Sequence, residues 1–277
     1  MMRRRIDLEQ AVVVVTGGGR GIGLATARAF AGHGATVCIG DLDKDTATVA
    51  ATELGCIGSK LDVTDRASYQ GFVNEVLQRF GRIDVLVNNA GIMPLGSFLD
   101  EPDSISRATL DVNIWGLIHG MRLVLPDMVA RGSGHVVNVA SMAGRIPFPG
   151  MAVYNASKFA AVGLTMSVRR ELRSTGVTVS AVLPSAVRTE LASGVQLGGT
   201  LPTVNPEDVA AAVIRTCHTQ KAATVVPGWL AGWDLLAAVV PEPLLALGLR
   251  LAGDDRGVHT DAAARAAYER RVARQAR

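Results

Sequence analysis

Apolar and polar positions along the chain follow two rhythms. Short runs of aliphatic and β-branched residues stand at 11–15, 35–40, 56–61, 83–87, 135–140, 177–183 and 223–226. Between them, at 22–31, 43–54, 66–80, 102–131, 154–174 and 206–219, apolar residues recur every three or four positions. The first rhythm predicts strands and the second predicts helices. Pro206 suits the first turn of its helix. The strand runs are apolar almost throughout rather than alternating, as expected where both faces of a sheet are covered. The expected architecture is therefore α/β. It is a single-domain, Rossmann-type, doubly wound parallel sheet of about seven strands with helices on both faces.

The same pattern divides the chain into an arm at 1–10, a Rossmann-type domain at 11–228, and an apolar or amphipathic extension with a basic tail at 229–277. Asp234, Pro241, Glu242, Pro243 and Arg250 interrupt the extension, so a membrane-spanning helix is not expected. Its pieces suit a lid over a cleft, a subunit interface, or peripheral contact with a bilayer, with lid or interface packing favoured over the membrane.

Composition narrows the classes. A chain of 277 residues with 48% hydrophobic positions can bury a large core without staples. The net charge is only +3, and the excess sits at the ends: Arg3, Arg4 and Arg5, then Arg265, Arg270, Arg271, Arg274 and Arg277. With no interleaved aromatics, these read as solvated tails, not as a nucleic-acid site. Cys38, Cys56 and Cys217 lack CxxC spacing and read as reduced thiols, and the start lacks an apolar signal region. The expected location is cytoplasmic, with membrane-peripheral contact left open. His33, His119, His135, His218 and His259 are scattered, so no metal site is expected.

Candidate chemistry begins after the first strand, at Thr16-Gly17-Gly18-Gly19-Arg20-Gly21-Ile22-Gly23. A glycine turn into a helix N-terminus lets backbone approach a pyrophosphate and presents free N–H groups to it. Gly17, Gly19, Arg20, Gly21, Ile22 and Gly23 are the candidate contacts. Asp41 ends the second strand, where a carboxylate accepts ribose hydroxyls and repels an extra phosphate. NAD is therefore favoured over NADP, although Arg20 could greet that phosphate. Asp43 reads as a helix cap. Asp62 and Val63 end the third strand; Asp62 suits either an adenine contact or a turn. Asn88, Asn89, Ala90 and Gly91 follow the fourth strand, where the amides could tie strand ends together and Ala-Gly leaves room for a ribose, or form an ordinary turn.

Tyr154 and Lys158 stand four apart in a predicted helix and share a face. A free phenol is a poor base at neutral pH, but an adjacent ammonium together with a cationic nicotinamide favours the phenolate. Tyr154 then suits proton exchange with an alcohol or a reduced carbonyl. Ser141, after the fifth strand, suits holding the substrate oxygen. Asn113 lies inside the long helix at 102–131.

Taken together, these residues resemble the short-chain dehydrogenase/reductase family over about 12–226. TGGGRGIG resembles its glycine motif, NNAG its structural motif, and Asn113, Ser141, Tyr154 and Lys158 its catalytic tetrad. The resemblance implies an oxidoreductase moving hydride between a nicotinamide dinucleotide and an alcohol or carbonyl. It makes Tyr154 the acid/base, has Lys158 lower its pKa and hold the nicotinamide ribose, has Ser141 orient the substrate, and has Asn113 support a water relay. Pro184, Val187 and Thr189 would contact the nicotinamide end, with Ser185 standing where the family usually has glycine. Substrate loops are implied at 93–98, 142–153 and 190–203. They offer Met93, Pro94, Leu95, Met142, Ile146, Phe148, Met151, Leu191 and Leu197. The substrate positions are Ser141, Met93, Phe148 and Met151, and the expected substrate is a steroid-, terpenoid- or lipid-like alcohol or ketone. A homo-oligomer, tetramer or dimer, is implied through the helices at 102–131 and 154–174. An NADP-dependent reductase and a non-catalytic dinucleotide-binding regulator are the alternatives, together with a membrane-associated binding protein built on the extension.

Overall fold

The computed structural model describes residues 6–197, 202–233, 236, 239–251, 257–258 and 260–275. Arg3, Arg4, Arg5, Asp234, His259 and Arg277, and the side chains of Glu242 and Arg274, lie outside the described residues. The strands are β1 (Val12–Thr16), β2 (Thr36–Asp41), β3 (Ile57–Lys60), β4 (Val85–Asn88), β5 (Gly134–Val139), β6 (Val177–Pro184), β7 (Ala186–Val187), β8 (Thr203–Val204) and β9 (Ala223–Val226). The main helices are α1 (Gly21–Gly32), α2 (Lys44–Leu54), α3 (Arg66–Phe80), α4 (Asp103–Leu110), α5 (Gly116–Arg131), α6 (Ala152–Glu171) and α7 (Pro206–Thr219).

Seven strands form one sheet in the order β3-β2-β1-β4-β5-β6-β9, with every pairing parallel. The order reverses between β1 and β4, so the C-terminal ends of these strands open a crevice where ligands of doubly wound sheets sit. The all-apolar strands are explained by two cores. Val13 and Val15 of β1 join one cluster with Phe30 of α1, Ala47 of α2 and Val213 of α7. Val12 and Val14 join the other with Tyr69 and Val73 of α3, Leu117 and Met128 of α5, and Ala161 of α6. Each fully buried aliphatic side chain stabilises the fold by roughly 1.5–3 kcal/mol. Asp43 and Asp65 cap α2 and α3 through their carboxylates, and Asn205 with Asp208 forms a capping box on α7.

The structure departs from the sequence pattern at four places. The arm is not separate, because Ile6 and Leu8 are buried in the first core. The predicted helix at 102–131 runs on from Asp103 to Arg131 but contains a π turn, Asp111–Trp115, that carries Asn113. A two-stranded ribbon, β7 with β8, was not foreseen. The C-terminal helix, Ala262–Gln275, is not a solvated tail. Its Tyr268 and Val272 join the second core, and Arg265 is 0% exposed. The preceding helix, Glu242–Leu251, leaves Leu244, Leu247 and Leu251 exposed. Among the described residues no helix is long and apolar enough to cross a membrane.

Candidate active site

At the β1 end of the crevice, α1 begins with no side-chain cap, unlike α2 and α3. Its first N–H groups are therefore open to an anion. Gly17 has φ 59°, and a Cβ on Gly23 would strike the Gly17 carbonyl, so the loop closes only with glycine at these positions. Thr16 braces the loop against β4: its Oγ1 accepts from the Asn89 and Ala90 N–H groups at 3.0 and 3.1 Å. Asn89 Nδ2 donates to the Thr16 and Gly17 carbonyls, both at 3.0 Å. The NNAG segment is thus a strand tie. Thr16 was missed in the sequence, although a hydroxyl entering a glycine loop is a readable signal.

Asp41 stands at the tip of β2, and its Oδ2 accepts the Gly19 N–H at 3.0 Å. Arg20 reaches Asp43 at 3.1 Å, Thr46 at 2.8 Å and Glu190 at 3.4 Å. Its charge is already shared between the α2 cap and the loop after β7. Asp62 Oδ1 closes a turn onto the N–H and hydroxyl of Thr64 at 2.9 and 2.7 Å. Val63 is buried, and its carbonyl meets His119 Nδ1 at 3.1 Å. Pro184 ends β6 and Val187 pairs with Val204 in the ribbon. Ser185 does not adopt a left-handed backbone, so the missing glycine costs no strain there. Thr189 precedes a short 3-10 turn without capping it through its side chain, and its methyl lies against Gly21.

On the other side of the crevice, Tyr154 is 7% and Lys158 5% exposed. The Lys158 Nζ lies 5.6 Å from the Tyr154 ring centroid and donates to the Val139 carbonyl at 3.2 Å. A Cβ on Gly91 would stand 3.7 Å from the same Nζ and 3.2 Å from Asn113 Oδ1. Burial pulls the Lys158 ammonium down to about 8. Burial also pushes the Tyr154 phenol up, against a hydrogen bond with the Ser141 side chain that lowers it and Tyr268, which raises it. In the protein alone, then, burial outweighs the lowering expected from Lys158, and the phenol is neutral.

Asn113 is fully buried and its amide is spent. Oδ1 accepts from Ile92 N–H at 2.9 Å, while Nδ2 donates to the Ile92 carbonyl at 2.9 Å and to Ser157 Oγ at 3.0 Å. Ser157 in turn donates to the Tyr154 carbonyl at 2.7 Å. The π turn thus presents Asn113 as a brace between the loop after β4 and the start of α6. Ser157 was overlooked, though its spacing from Tyr154 places it on the same helix face.

Met93, Ala143 and Tyr154 form a small buried cluster with Leu95, Phe148, Met151, Leu191 and Val195 packed around it. The three apolar substrate candidates, Met93, Phe148 and Met151, therefore meet at Tyr154. Met142 and Ile146 do not; they turn into a separate cluster with Leu183 and Val225. The set as a whole fits a nicotinamide dinucleotide. It combines an uncapped helix N-terminus, a backbone cradle that side chains would fill, and a buried ammonium with one hydrogen-bond partner among the described residues.

Residues 11–197 match the short chain dehydrogenase family. The chain is 40% identical to the oxidoreductase UcpA of Salmonella typhimurium over 188 residues, 66% of this chain and 71% of that protein. It is 35% identical to trans-4-hydroxycyclohexanecarboxylate dehydrogenase of Sinomonas cyclohexanicum over 214 residues, 73% of this chain and 82% of that protein. A short chain dehydrogenase/reductase from Burkholderia phymatum, solved in complex with NAD, superposes with a TM-score of 0.77 at 26% identity, over 84% of this chain and 93% of that one. The chain belongs to the short chain dehydrogenase family, as an oxidoreductase that acts on alcohol or ketone groups with a nicotinamide dinucleotide.

Proposed function

We propose that the protein interconverts an apolar secondary alcohol and its ketone with NAD(H), using Tyr154 as the acid/base. The observation that carries this reading is the buried Lys158 ammonium. It spends one N–H on Val139 while standing between the Tyr154 phenol and the Gly91 backbone. A charge kept in a buried site with unspent donors is costly unless a ligand or a reaction uses it.

Gly17, Gly19, Gly21, Ile22 and Gly23 would hold the pyrophosphate, and Asp41 the adenosine ribose. Asp62, Val63, Asn89, Ala90 and Gly91 would line the adenine and ribose side. Pro184, Val187 and Thr189 would meet the nicotinamide end. The bound dinucleotide would supply or accept the hydride. Ser141 holds the substrate oxygen, and Tyr154 gives that oxygen its proton or takes it away. Lys158, charged at neutral pH, would act with the cationic nicotinamide to lower the phenol, against the burial that holds it neutral in the protein alone. Asn113 positions Tyr154 through Ser157. The apolar ring of Met93, Phe148 and Met151 supports a substrate without a polar tail.

NAD is preferred because Asp41 faces the Gly19 backbone where an extra ribose phosphate would lie, and Arg20 is already engaged by Asp43, Thr46 and Glu190. Titration of wild type and Asp41→Ala with NADH and NADPH tests this. Tight NADH and weak NADPH binding, with the preference relaxed in the variant, is expected. Preference of the wild type for NADPH would overturn it. Leu110, Trp115, Val129 and Phe159 stand exposed on α4, the π turn, α5 and α6. They support self-association through these helices, which sedimentation would read.

A further inference from the structure

The family match ends at residue 197, and the C-terminal helix lies beyond it. That helix nevertheless carries the largest fully buried side chain among the described residues, Arg265. Its guanidinium donates to the Met93 carbonyl, to the Leu191 carbonyl at 3.2 Å and to the Ser193 carbonyl at 2.9 Å. It also lies over the Tyr268 ring, 4.7 Å from the centroid. The Tyr268 hydroxyl accepts the Met93 N–H at 2.7 Å.

The grip extends to the remaining loop. Asp261 N–H donates to the Gly194 carbonyl at 2.8 Å. Gly257 is pressed against the backbone of Pro149 and Gly150, closely enough that a side chain on either glycine would collide. Gly257, Asp261, Arg265 and Tyr268 therefore hold the loop after β4, the loop after β5 and the loop after β7. These same loops surround Tyr154. A planar guanidinium that bonds carbonyls of two loops fixes their spacing, because moving either loop leaves buried polar groups unpaired.

We propose that Arg265 and Tyr268 determine specificity: they lock the loops after β4 and β7 into one wall over Tyr154 and restrict the enzyme to compact, ring-sized apolar alcohols and ketones. This rests on the oxidoreductase reading above and narrows it, since fused-ring and long-chain alcohols need the wall to part. Tyr268 braces Met93 through its hydroxyl, and Arg265 positions Met93 and Leu191; both act through these loops rather than by touching substrate.

The test uses the full chain as wild type, Tyr268→Phe and Arg265→Lys. The first variant removes one hydroxyl and keeps the ring; the second keeps the charge and loses the fork. Backbone hydrogen exchange is followed in 91–98, 146–151 and 190–197. Turnover is compared for cyclohexanol and a fused-ring steroid alcohol. We expect exchange to quicken in 91–98 and 190–197 together, with 146–151, which Gly257 holds, changing less. The steroid-to-cyclohexanol ratio of kcat/KM should rise about tenfold, mainly through KM. Unchanged exchange, quickening confined to one loop, or a wild type that prefers the steroid overturns the proposal, as does turnover with an unchanged ratio. Wild-type turnover of no alcohol or ketone with either dinucleotide would instead overturn the oxidoreductase reading, and the specificity claim with it.

Discussion

At Lys158 the proposed chemistry is set against stability. Burial lowers its ammonium from 10.5 to about 8. Below pH 8 it is charged in folded and unfolded chains alike, and the folded form bears the desolvation cost. As pH rises from 8 toward 10.5, the folded protein sheds that proton first and the cost is relieved. Lys158→Met removes the charge while keeping the stem. It is expected to stabilise the protein by up to about 3 kcal/mol at pH 7 while abolishing turnover. Urea unfolding without dinucleotide, beside an activity assay, reads both effects. A variant less stable than wild type would mean that the Val139 contact outweighs the desolvation. Asn113 makes the complementary point. Its buried amide is satisfied by Ile92 and Ser157, so Asn113→Ala leaves the Ile92 N–H and carbonyl unpaired. It should cost about 1–3 kcal/mol in the same assay.

At the scale of elements, buried polar side chains tie the sheet together alongside the aliphatic ones. His135, in β5, faces Thr178 of β6 at 2.7 Å and Thr216 of α7 at 3.1 Å. Burial, with Arg169 nearby, lowers its pKa from 6.5 to about 3. The folded protein therefore keeps His135 neutral while the unfolded chain takes up a proton near pH 6.5. Stability is full above that pH and drains as pH falls toward 3, by ~1.4 kcal/mol per unit. His135→Gln should flatten urea midpoints measured from pH 7 to 5; an unchanged slope would assign the acid sensitivity to other groups. The alternation of strands and helices was legible because apolar runs and helical periods are local. So was the Tyr154–Lys158 pair, because a helix face is set by spacing. The chain Tyr69–Asn88–Asn138–Thr165, which crosses β4 and β5 with bonds of 2.9–3.0 Å, was not. Its bonded partners lie up to 50 residues apart, and only the strand order brings them together. Nor was the π turn, since one extra residue in a helical turn leaves the apolar period nearly intact.

For the whole molecule, the last helix is structural rather than appended. A basic sequence such as 265–274 reads locally as solvated, but Arg265 has carbonyl partners more than 70 residues away in Leu191, Ser193 and Met93. Glu190 extends the connection. It pairs with Arg271 of the last helix at 2.6 Å and with Arg20 of the glycine loop at 3.4 Å. Burial pushes its carboxyl up, but Arg271 and Arg20 more than offset this and hold it below the usual range. The C-terminal helix thus reaches both the loops around Tyr154 and the glycine loop. Ending the chain after Thr260 removes the buried Tyr268 and Val272 and leaves the Arg265-bonded carbonyls without their donor. Burial alone puts the loss at about 3–6 kcal/mol, large against the ~5–15 kcal/mol that holds most domains together. The shortened protein should show a lower urea midpoint and bind an apolar dye. Arg270→Ala, on the exposed face of the same helix, should change the unfolding free energy by no more than ~0.5 kcal/mol. If the shortened chain and Arg270→Ala unfold alike, the helix is an appendage, and the buried contacts of Arg265 and Tyr268 do not hold the fold.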